Sequence, residues 1–274
     1  LTRRLLVKDQ YDVEVSFTIM NPPLLFSKRK EVKKISWIHG SIEEFLTDSS
    51  KRESHRRQLD VADRIVGISK KTCNSIIEVY PDYSQKLTTV YNGYDFESIL
   101  EKSKKKIAIE IAPQSICTIG RIEENKGSDR VVEVIRLLHQ QGKKYYLYFI
   151  GAGDMEEELK ERVKEYHLED YVHFLGYQKN PYQYLSHMKV LLSMSKQEGF
   201  PGVYVEALSL GVPFVSTEVG GAEELSQEGL FGKIIDSNEE ATQAIDNYMT
   251  SASNFDANEA SQFIQQFTIA KQIE

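Results

Sequence analysis

The stretch KQEGFPGVYVEALSLGVPFVS, residues 196–216, decides how this sequence folds. An apolar run over 190–194 precedes it and predicts a buried strand, and two glycines and a proline then predict a short loop. The apolar pattern from Gly202 to Leu210 predicts a helix, and residues 213–216 predict the next strand. A strand, a loop, a helix and a second strand in this order are typical of parallel βαβ units.

The same alternation extends through the rest of the chain. In the helix predicted over 127–141, the apolar residues follow the spacing i, i+3, i+4, i+7, which places them on one buried face. Helices are also predicted over Met155–His167 and Glu239–Thr250. Short apolar runs predict ten strands: Val13–Ile19, Ile35–His39, Arg64–Ile68, Leu87–Tyr91, Ile116–Gly120, Tyr145–Ile150, Val172–Leu175, Val190–Met194, Pro213–Ser216 and Lys233–Ile235. The sequence therefore predicts an α/β protein with two doubly wound domains.

The length of 274 residues suits two domains, and 41% hydrophobic and 27% charged residues are ordinary for a globular protein. The charged run Glu101–Lys106 predicts the linker between them. Residues 1–106 are assigned to the first domain and 107–250 to the second, and 251–274 to a helical tail that packs back towards the first domain. The first domain shows four predicted strands and no glycine-rich turn at its start, so we expect it to be truncated.

Several classes of protein are not expected. No apolar run approaches the ~20 residues of a membrane span, and the N-terminus does not resemble a signal peptide. Cys73 and Cys117 lack the spacing of a zinc or redox site and are predicted to be reduced core thiols in a cytoplasmic protein. A nucleic-acid role is not expected, because the half with the glycine-rich turns is acidic and shows no basic, aromatic platform.

The net charge of −7 is unevenly distributed, with +5 over residues 1–106 and −12 over the remainder. Basic residues cluster over 28–34 and 51–57. Such clusters fit contact with an anionic membrane surface, and they fit a solvated basic face about equally well. Both interpretations are kept.

Two carboxylates in the opening stretch lie eight positions apart, Glu198 in the loop and Glu206 on the helix. Loops after the C-terminal ends of parallel strands are where such folds bind ligands. The backbone N–H groups at the start of the following helix favour a phosphate, and ionised carboxylates accept hydrogen bonds from sugar or ribose hydroxyls. Either glutamate alone would be interpreted as an ordinary surface residue.

Together these residues resemble the E-x7-E motif of GT-B glycosyltransferases of the retaining family numbered four (glycosyl transferases group 1). The following GVPFVS and the run from Val219 to Glu224 are also similar to that family. The resemblance implies that Glu198 lies by the donor sugar and that Glu206 binds the nucleotide ribose. It also places Gly199, Phe200 and Val203 in the donor site.

A second segment, from Gly120 to Gly127, follows the first strand of the second half. It resembles the family's G-R-x-x-x-x-K-G phosphate-binding motif, which implies that Arg121 and Lys126 neutralise a diphosphate leaving group. The glycine turn with Gly151 and Gly153 and the segment ending at Tyr177 resemble family segments near the nucleotide and its base.

In the first half, Trp37-Ile-His-Gly40 ends a predicted strand. A lone histidine is more often structural, but the resemblance implies that His39 faces the reactive end of the donor. Ser69 and Asn92 are interpreted as structural. Complete family members carry roughly a hundred more N-terminal residues, which puts the unaided activity of this chain in doubt.

The resemblance implies a retaining transfer of sugar from a nucleoside diphosphate sugar, with UDP-sugars favoured, to a saccharide or lipid-linked saccharide in bacterial surface polysaccharide or capsule synthesis. His39, Arg121, Lys126 and Glu198 are the expected catalytic residues. No cofactor or metal is expected, and the protein is expected in the cytoplasm or at the inner face of the cell membrane. Two alternatives stay open: a donor-nucleotide-binding fragment that needs a missing segment or partner, and a GT-B nucleotide-sugar epimerase.

Overall fold

A computed structural model describes residues 11–17, 26–42 and 48–273. The chain divides into two compact units between Asn92 and Gly93. Each unit contains one parallel β-sheet. The ten predicted strands are all found, with ends within two residues of the predicted ones except in the first, which ends at Ser16. Residues 18 and 19 of that prediction lie outside the described residues. The α/β class predicted from the sequence is confirmed.

The first unit has a four-stranded sheet in the order β1-β2-β3-β4. Its strands are β1 (Val13–Ser16), β2 (Lys33–Ile38), β3 (Arg64–Gly67) and β4 (Leu87–Thr89). All neighbouring pairs are parallel. The described helices of this unit are α1 (Ser49–Asp60) and α2 (Lys70–Val79), and a 3₁₀ turn covers Pro81–Lys86.

Side-chain caps fix where these two helices begin. The side chain of Asp48 accepts hydrogen bonds from the backbone N–H groups of Ser50 and Lys51. Ser69 accepts one from the backbone N–H of Thr72, which agrees with the structural role predicted for Ser69. Each cap satisfies donors that the first turn of a helix leaves without a partner.

The histidine His55 lies buried in the core of the first unit and is 2% exposed. Its Nδ1 lies 3.2 Å from the hydroxyl of Tyr80, and that hydroxyl donates to the carbonyl of Arg52 at 2.8 Å. Burial disfavours the charged imidazolium and lowers the pKa of His55 to about 4. The ring is therefore neutral at physiological pH.

The second unit has a six-stranded parallel sheet in the order β10-β9-β8-β5-β6-β7. Its strands are β5 (Ser115–Ile119), β6 (Tyr146–Ile150), β7 (Val172–Phe174), β8 (Val190–Ser193), β9 (Phe214–Thr217) and β10 (Gly232–Ile235). The chain moves outward from β5 to β7 on one side and then returns to the other side of β5 with β8. The strand order reverses there, and such switch points are where doubly wound sheets bind ligands.

The described helices of the second unit connect these strands. They are α3 (Phe96–Ser103), α4 (Ser128–Gln140), α5 (Glu156–Glu165), α6 (Tyr182–Leu185), α7 (Gly202–Ser209), α8 (Ala222–Ser226), α9 (Asn238–Met249), α10 (Ala257–Phe263) and α11 (Ile269–Ile273). In α4, the four residues predicted to share a buried face are fully buried: Val131, Val134, Ile135 and Leu138. Both cysteines are buried and neither forms a disulfide, and burial raises the pKa of Cys117.

The boundary between the units differs from the predicted linker. The run Glu101–Lys106 was expected to separate the domains, but Glu101, Lys102 and Ser103 form the end of α3, which packs on α6 and α7 of the second unit. The run is charged because it lies at an exposed helix end, and not because it is a linker.

Part of the C-terminal tail is held within the second unit. Phe267 accepts a backbone hydrogen bond from Tyr94, and Ile269 donates one to Tyr94. Packing of this tail against the first unit stays a prediction. Among the described residues, the structure contains no helix long and apolar enough to cross a membrane.

Candidate functional site

A cavity of about 210 Å³ lies at the switch point of the second sheet. The ends of β5 and β8, Phe149 of β6 and the first residues of α4 and α7 form its walls. The residues around it are Thr118, Ile119, Gly120, Arg121, Ile122, Lys126, Ser128, Phe149, Ser193, Ser195, Glu198, Phe200, Pro201, Gly202 and Val203. Five predicted site residues are therefore brought together here: Arg121, Lys126, Glu198, Phe200 and Val203.

An ion pair joins the two predicted motifs across this cavity. Nζ of Lys126 lies 2.6 Å from Oε1 of Glu198, and the side chains are 29% and 20% exposed. The loop before α4 brings Lys126 there, because Gly127 adopts a left-handed conformation with φ 62°. A Cβ on Gly127 would overlap the carbonyl of Met194, which follows β8 and precedes the loop of Glu198, so this close approach requires glycine.

Arg121 lies at the edge of the same cavity and is much more open to solvent. Its side chain is 75% exposed, and its guanidinium pairs with Glu123 at 3.0 Å. An exposed pair of this kind contributes about 0–1 kcal/mol, so the guanidinium can exchange Glu123 for an incoming anion at little cost.

The start of α7 offers backbone donors to the cavity. Pro201 precedes the helix, and no side chain caps it. Tyr204 N–H donates to the carbonyl of Pro201, whereas the N–H groups of Gly202 and Val203 precede the first intrahelical bonds, and the helix dipole adds a partial positive charge there. Gly202 and Val203, the first two residues of the helix, line the cavity. A phosphate is the group that such a site accepts most readily.

Glu206 lies one turn further along α7, outside the lining of this cavity. Its Oε1 accepts a hydrogen bond of 2.9 Å from the hydroxyl of Tyr182. Burial raises the pKa of Glu206, and the Tyr182 hydrogen bond opposes that shift. Tyr182 was not identified from the sequence, because nothing near residue 182 resembles a binding motif.

The other predicted glycines position the loops around the cavity. A Cβ on Gly151 would overlap the carbonyl of Gly120, and one on Gly153 would overlap that of Ile122, so both let the turn after β6 pack against the turn after β5. The carbonyl of Gly199 accepts from Gly221 N–H at 3.1 Å. None of these three lines the cavity.

Tyr177 lies in the segment after β7, where its ring is 79% exposed. It is available to a planar ligand, but it does not line the cavity.

His39 belongs to the first unit, one residue beyond the end of β2. Its ring centroid lies 4.2 Å from that of Phe17, and the ring of Trp37 lies nearly parallel at 6.4 Å. Burial lowers the pKa of His39. Its Nε2 has no hydrogen-bond partner among the described residues. His39 therefore presents a ring nitrogen without a described partner at the C-terminal end of a parallel strand.

Hydroxyl groups behind Glu198 were also missed in the sequence. Ser195 donates to Oε1 of Glu198 at 2.9 Å, and Ser193 lies 3.3 Å from Ser195. Serines are common in loops, so the sequence gives no signal that distinguishes Ser195 from other loop serines.

The family model described as glycosyl transferases group 1 matches residues 100–266, which is more than half of the chain. The chain belongs to this glycosyltransferase family.

Among curated relatives of this family, an N-acetylgalactosaminyltransferase of Campylobacter jejuni that acts on a diphospho-undecaprenol-linked saccharide is 29% identical over 64% of the chain and 47% of its own length. The N-acetyl-alpha-D-glucosaminyl L-malate synthase of Bacillus anthracis is 28% identical over 73% of the chain and 53% of its own length. The chain thus spans about half the length of the curated relatives it matches.

Solved glycosyltransferases share the fold. The lipopolysaccharide outer core galactosyltransferase WaaB aligns with a TM-score of 0.76 and 19% identity, covering 99% of this chain and 75% of WaaB. Anabaena HepE in complex with UDP aligns with a TM-score of 0.74 and 17% identity, covering 88% and 70% of the two chains. The GT-B type of fold predicted from the sequence is confirmed.

Proposed function

We propose that this glycosyltransferase chain binds a nucleoside diphosphate sugar, with UDP-sugars favoured, and transfers the sugar to a saccharide or lipid-linked saccharide hydroxyl with retention. The observation that carries the proposal is the cavity at the switch point, where Lys126, Glu198 and the uncapped start of α7 converge. Its cation and backbone donors suit a diphosphate, and its carboxylate suits a sugar hydroxyl. HepE, whose solved structures include UDP and UDP-glucose complexes, has the same fold.

In the proposed reaction, the bond between the anomeric carbon and the diphosphate oxygen breaks, and a bond to the acceptor oxygen forms on the same face. The acceptor proton passes to the leaving phosphate. Lys126, Arg121 and the N–H groups of α7 stabilise the charge that grows on the diphosphate, which is the kind of preorganised electrostatics that dominates many enzymatic reactions. Glu198 holds the sugar, and Glu206 holds the ribose. The part of His39 in the reaction stays a prediction from the family resemblance.

We further propose that the reaction needs no metal ion. The cations that neutralise the diphosphate are side chains of this chain, Lys126 and Arg121. Chelation with EDTA should then leave nucleotide binding and turnover unchanged, and a loss of either on chelation would contradict this part of the proposal.

The proposal also includes a place of action at the inner face of a bacterial cell membrane, in surface polysaccharide or capsule synthesis. The Campylobacter relative acts on an undecaprenol-linked saccharide, as its name states. Exposed lysines of the first unit, including Lys28, Lys30 and Lys33, would face anionic headgroups.

Calorimetric titration with UDP, GDP and UDP-sugars tests the donor site. Lys126→Ala should weaken binding of the preferred nucleotide at least tenfold, and Arg121→Ala should weaken it less, because its guanidinium is more exposed. Lys196→Ala is the matched control. Lys196 lies in the same loop as Glu198, pairs with Glu124 at 2.6 Å and does not line the cavity, so binding should change less than twofold.

Equal binding by the wild type, Lys126→Ala and Lys196→Ala would contradict the proposed site. Turnover is then followed as UDP release with and without a saccharide acceptor. Release that needs the acceptor indicates transfer, release without it favours the epimerase alternative, and binding without release favours the donor-binding fragment.

A further inference from the structure

Among the described residues, only one oxygen of the Glu198 carboxylate has hydrogen-bond partners. Its Oε1 accepts both hydrogen bonds that the structure gives this carboxylate, from Nζ of Lys126 at 2.6 Å and from Oγ of Ser195 at 2.9 Å. Among the described residues no partner is recorded for Oε2. The side chain lines the cavity and is 20% exposed. One oxygen is therefore used to hold the carboxylate, and the other is available to a ligand.

Of the two groups on Oε1, Ser195 is the one that a ligand does not displace. Lys126 is the cation expected to move towards a diphosphate. Its hydrogen bond to Glu198 is then broken or shared with the phosphate. Ser195 lines the cavity beside the carboxylate but is only 2% exposed, whereas the Lys126 side chain is 29% exposed. Once Lys126 is engaged by phosphate, the Ser195 hydroxyl is the remaining donor on Oε1.

The loop that carries Ser195 is itself held by buried and half-buried hydroxyl groups. Thr217, at the end of β9, donates to the carbonyl of Ser195 at 2.6 Å. The hydroxyl of Tyr204, which is fully buried, lies 2.6 Å from Oγ of Ser216. Oγ of Ser193 lies 3.3 Å from Oγ of Ser195. Buried hydroxyl groups are costly unless they are hydrogen-bonded, and each of these has a partner.

These hydroxyl groups form a polar path through a region that is otherwise apolar. The neighbouring residues of β8 and β9 are at most 1% exposed: Leu191, Leu192, Phe214 and Val215. A hydrogen bond from a buried hydroxyl to a carboxylate is charge-assisted and directional, so it limits the rotamers that the carboxylate can adopt.

From this geometry we infer that Ser195 is a positioning residue for donor-sugar recognition. It holds Glu198 by Oε1 so that Oε2 accepts a hydroxyl of the sugar after Lys126 has turned to the diphosphate. This inference rests on the proposed function. It adds Ser195 to the donor site and gives the two carboxylate oxygens of Glu198 different roles, Oε1 in holding the side chain and Oε2 in contacting the sugar.

The test is how strongly the whole chain prefers a UDP-sugar to UDP. Calorimetry gives this preference as a ratio, the dissociation constant of UDP divided by that of the UDP-sugar. Because UDP lacks the sugar, its binding reports the phosphate and nucleotide contacts alone. Ser195→Ala should reduce this ratio about tenfold, which corresponds to ~1.4 kcal/mol, and should change UDP binding less than twofold. A purely structural role for Ser195 would weaken both ligands together.

A double-mutant cycle shows whether Ser195 acts through Glu198. On a Glu198→Ala background, Ser195→Ala should have no further effect on the ratio. Ser195→Cys keeps a weak donor at the same position and should give an intermediate ratio. Ser226→Ala is the matched control: Ser226 is also buried in the second unit, and its Oγ donates to the carbonyl of Glu223 at 3.0 Å. That variant should leave the ratio unchanged.

The outcomes separate this inference from the proposed function. If the wild-type chain discriminates and Glu198→Ala loses the discrimination while Ser195→Ala keeps it, the inference is wrong and the donor site stands. Additive losses in the double mutant would also overturn it. If the wild type binds neither UDP nor any UDP-sugar, the proposed function fails and the inference falls with it. Melting temperatures within a few degrees of the wild type establish that each variant is folded.

Discussion

The imidazole of His55 is kept neutral by burial in the core of the first unit, with a pKa of about 4. An unfolded chain would give it the ordinary value near 6.5. Between pH 6.5 and 4 the unfolded state therefore binds a proton that the folded state does not, and stability falls as the pH falls through this window. Above pH 6.5 the contribution of His55 is constant.

We expect the first unit to lose about 1.5 kcal/mol of unfolding free energy between pH 6.5 and 5 through His55 alone. His55→Gln should flatten this part of the pH profile. The single tryptophan of the chain, Trp37, lies in this unit, so its fluorescence during urea unfolding gives the measurement. His187→Gln, a change at an exposed histidine, should keep the wild-type slope. An unchanged slope in His55→Gln would contradict the prediction.

Individual candidate site residues could be chosen from the sequence where charged residues and glycines follow the end of a strand. Lys126 and Glu198 could be proposed from two separate motifs, and the structure places them in one ion pair. Ser195 and Tyr182 could not be chosen in the same way, because hydroxyl side chains occur throughout loops. Their relevance depends on which carboxylate each one contacts, and that is decided by packing between elements distant in sequence.

At the scale of elements, the strands were predictable because buried parallel strands are short apolar runs between turn signals. The ends of β5, β6 and β8 were placed within one residue. The charged run after Glu101 was misinterpreted because an exposed helix end and a linker have the same composition. Only the packing of α3 on α6 and α7 distinguishes them.

The turn before α4 gives a test at this scale. Gly127 and Gly142 both have a left-handed backbone, with φ of 62° and 78°, but a Cβ on Gly127 would overlap Met194 and one on Gly142 would meet nothing within 4 Å. Gly142→Ala should cost about 1 kcal/mol of unfolding free energy, the cost of the backbone conformation. Gly127→Ala should cost clearly more and should also weaken UDP binding at least tenfold, because the turn that carries Lys126 must shift.

Urea unfolding of the second unit and UDP titration of both variants provide the measurements. If the two substitutions had the same effect on stability, the close approach of Gly127 to Met194 would be wrong. If only stability differed, the turn would not control the position of Lys126.

At the scale of the whole molecule, the charge asymmetry gives a prediction about membranes. The chain should bind vesicles that contain anionic lipid and should bind them more tightly at low salt, because exposed charges are screened over ~8–10 Å at ordinary ionic strength. Lys28→Glu combined with Lys30→Glu should weaken binding at least tenfold, since each basic residue near such a surface contributes about 1 kcal/mol.

Lys104→Glu combined with Lys105→Glu makes the same change in net charge on exposed residues of the second unit, and it should have little effect. Vesicle sedimentation at low and high salt measures both variants. Absence of binding at low salt, or equal losses in the two double variants, would favour a basic face that is simply solvated.

The ion pair between Lys126 and Glu198 has a consequence for competition by small anions. Because the lysine is already neutralised, a free phosphate or carboxylate gains little by entering: it would have to replace a carboxylate that is held in place, and it would then face that carboxylate as a like charge. A ligand that brings negative charge for the lysine together with hydroxyl donors for the glutamate satisfies both groups. Under the proposed function, the pair therefore disfavours small free anions and favours a donor that combines phosphate and sugar hydroxyl groups.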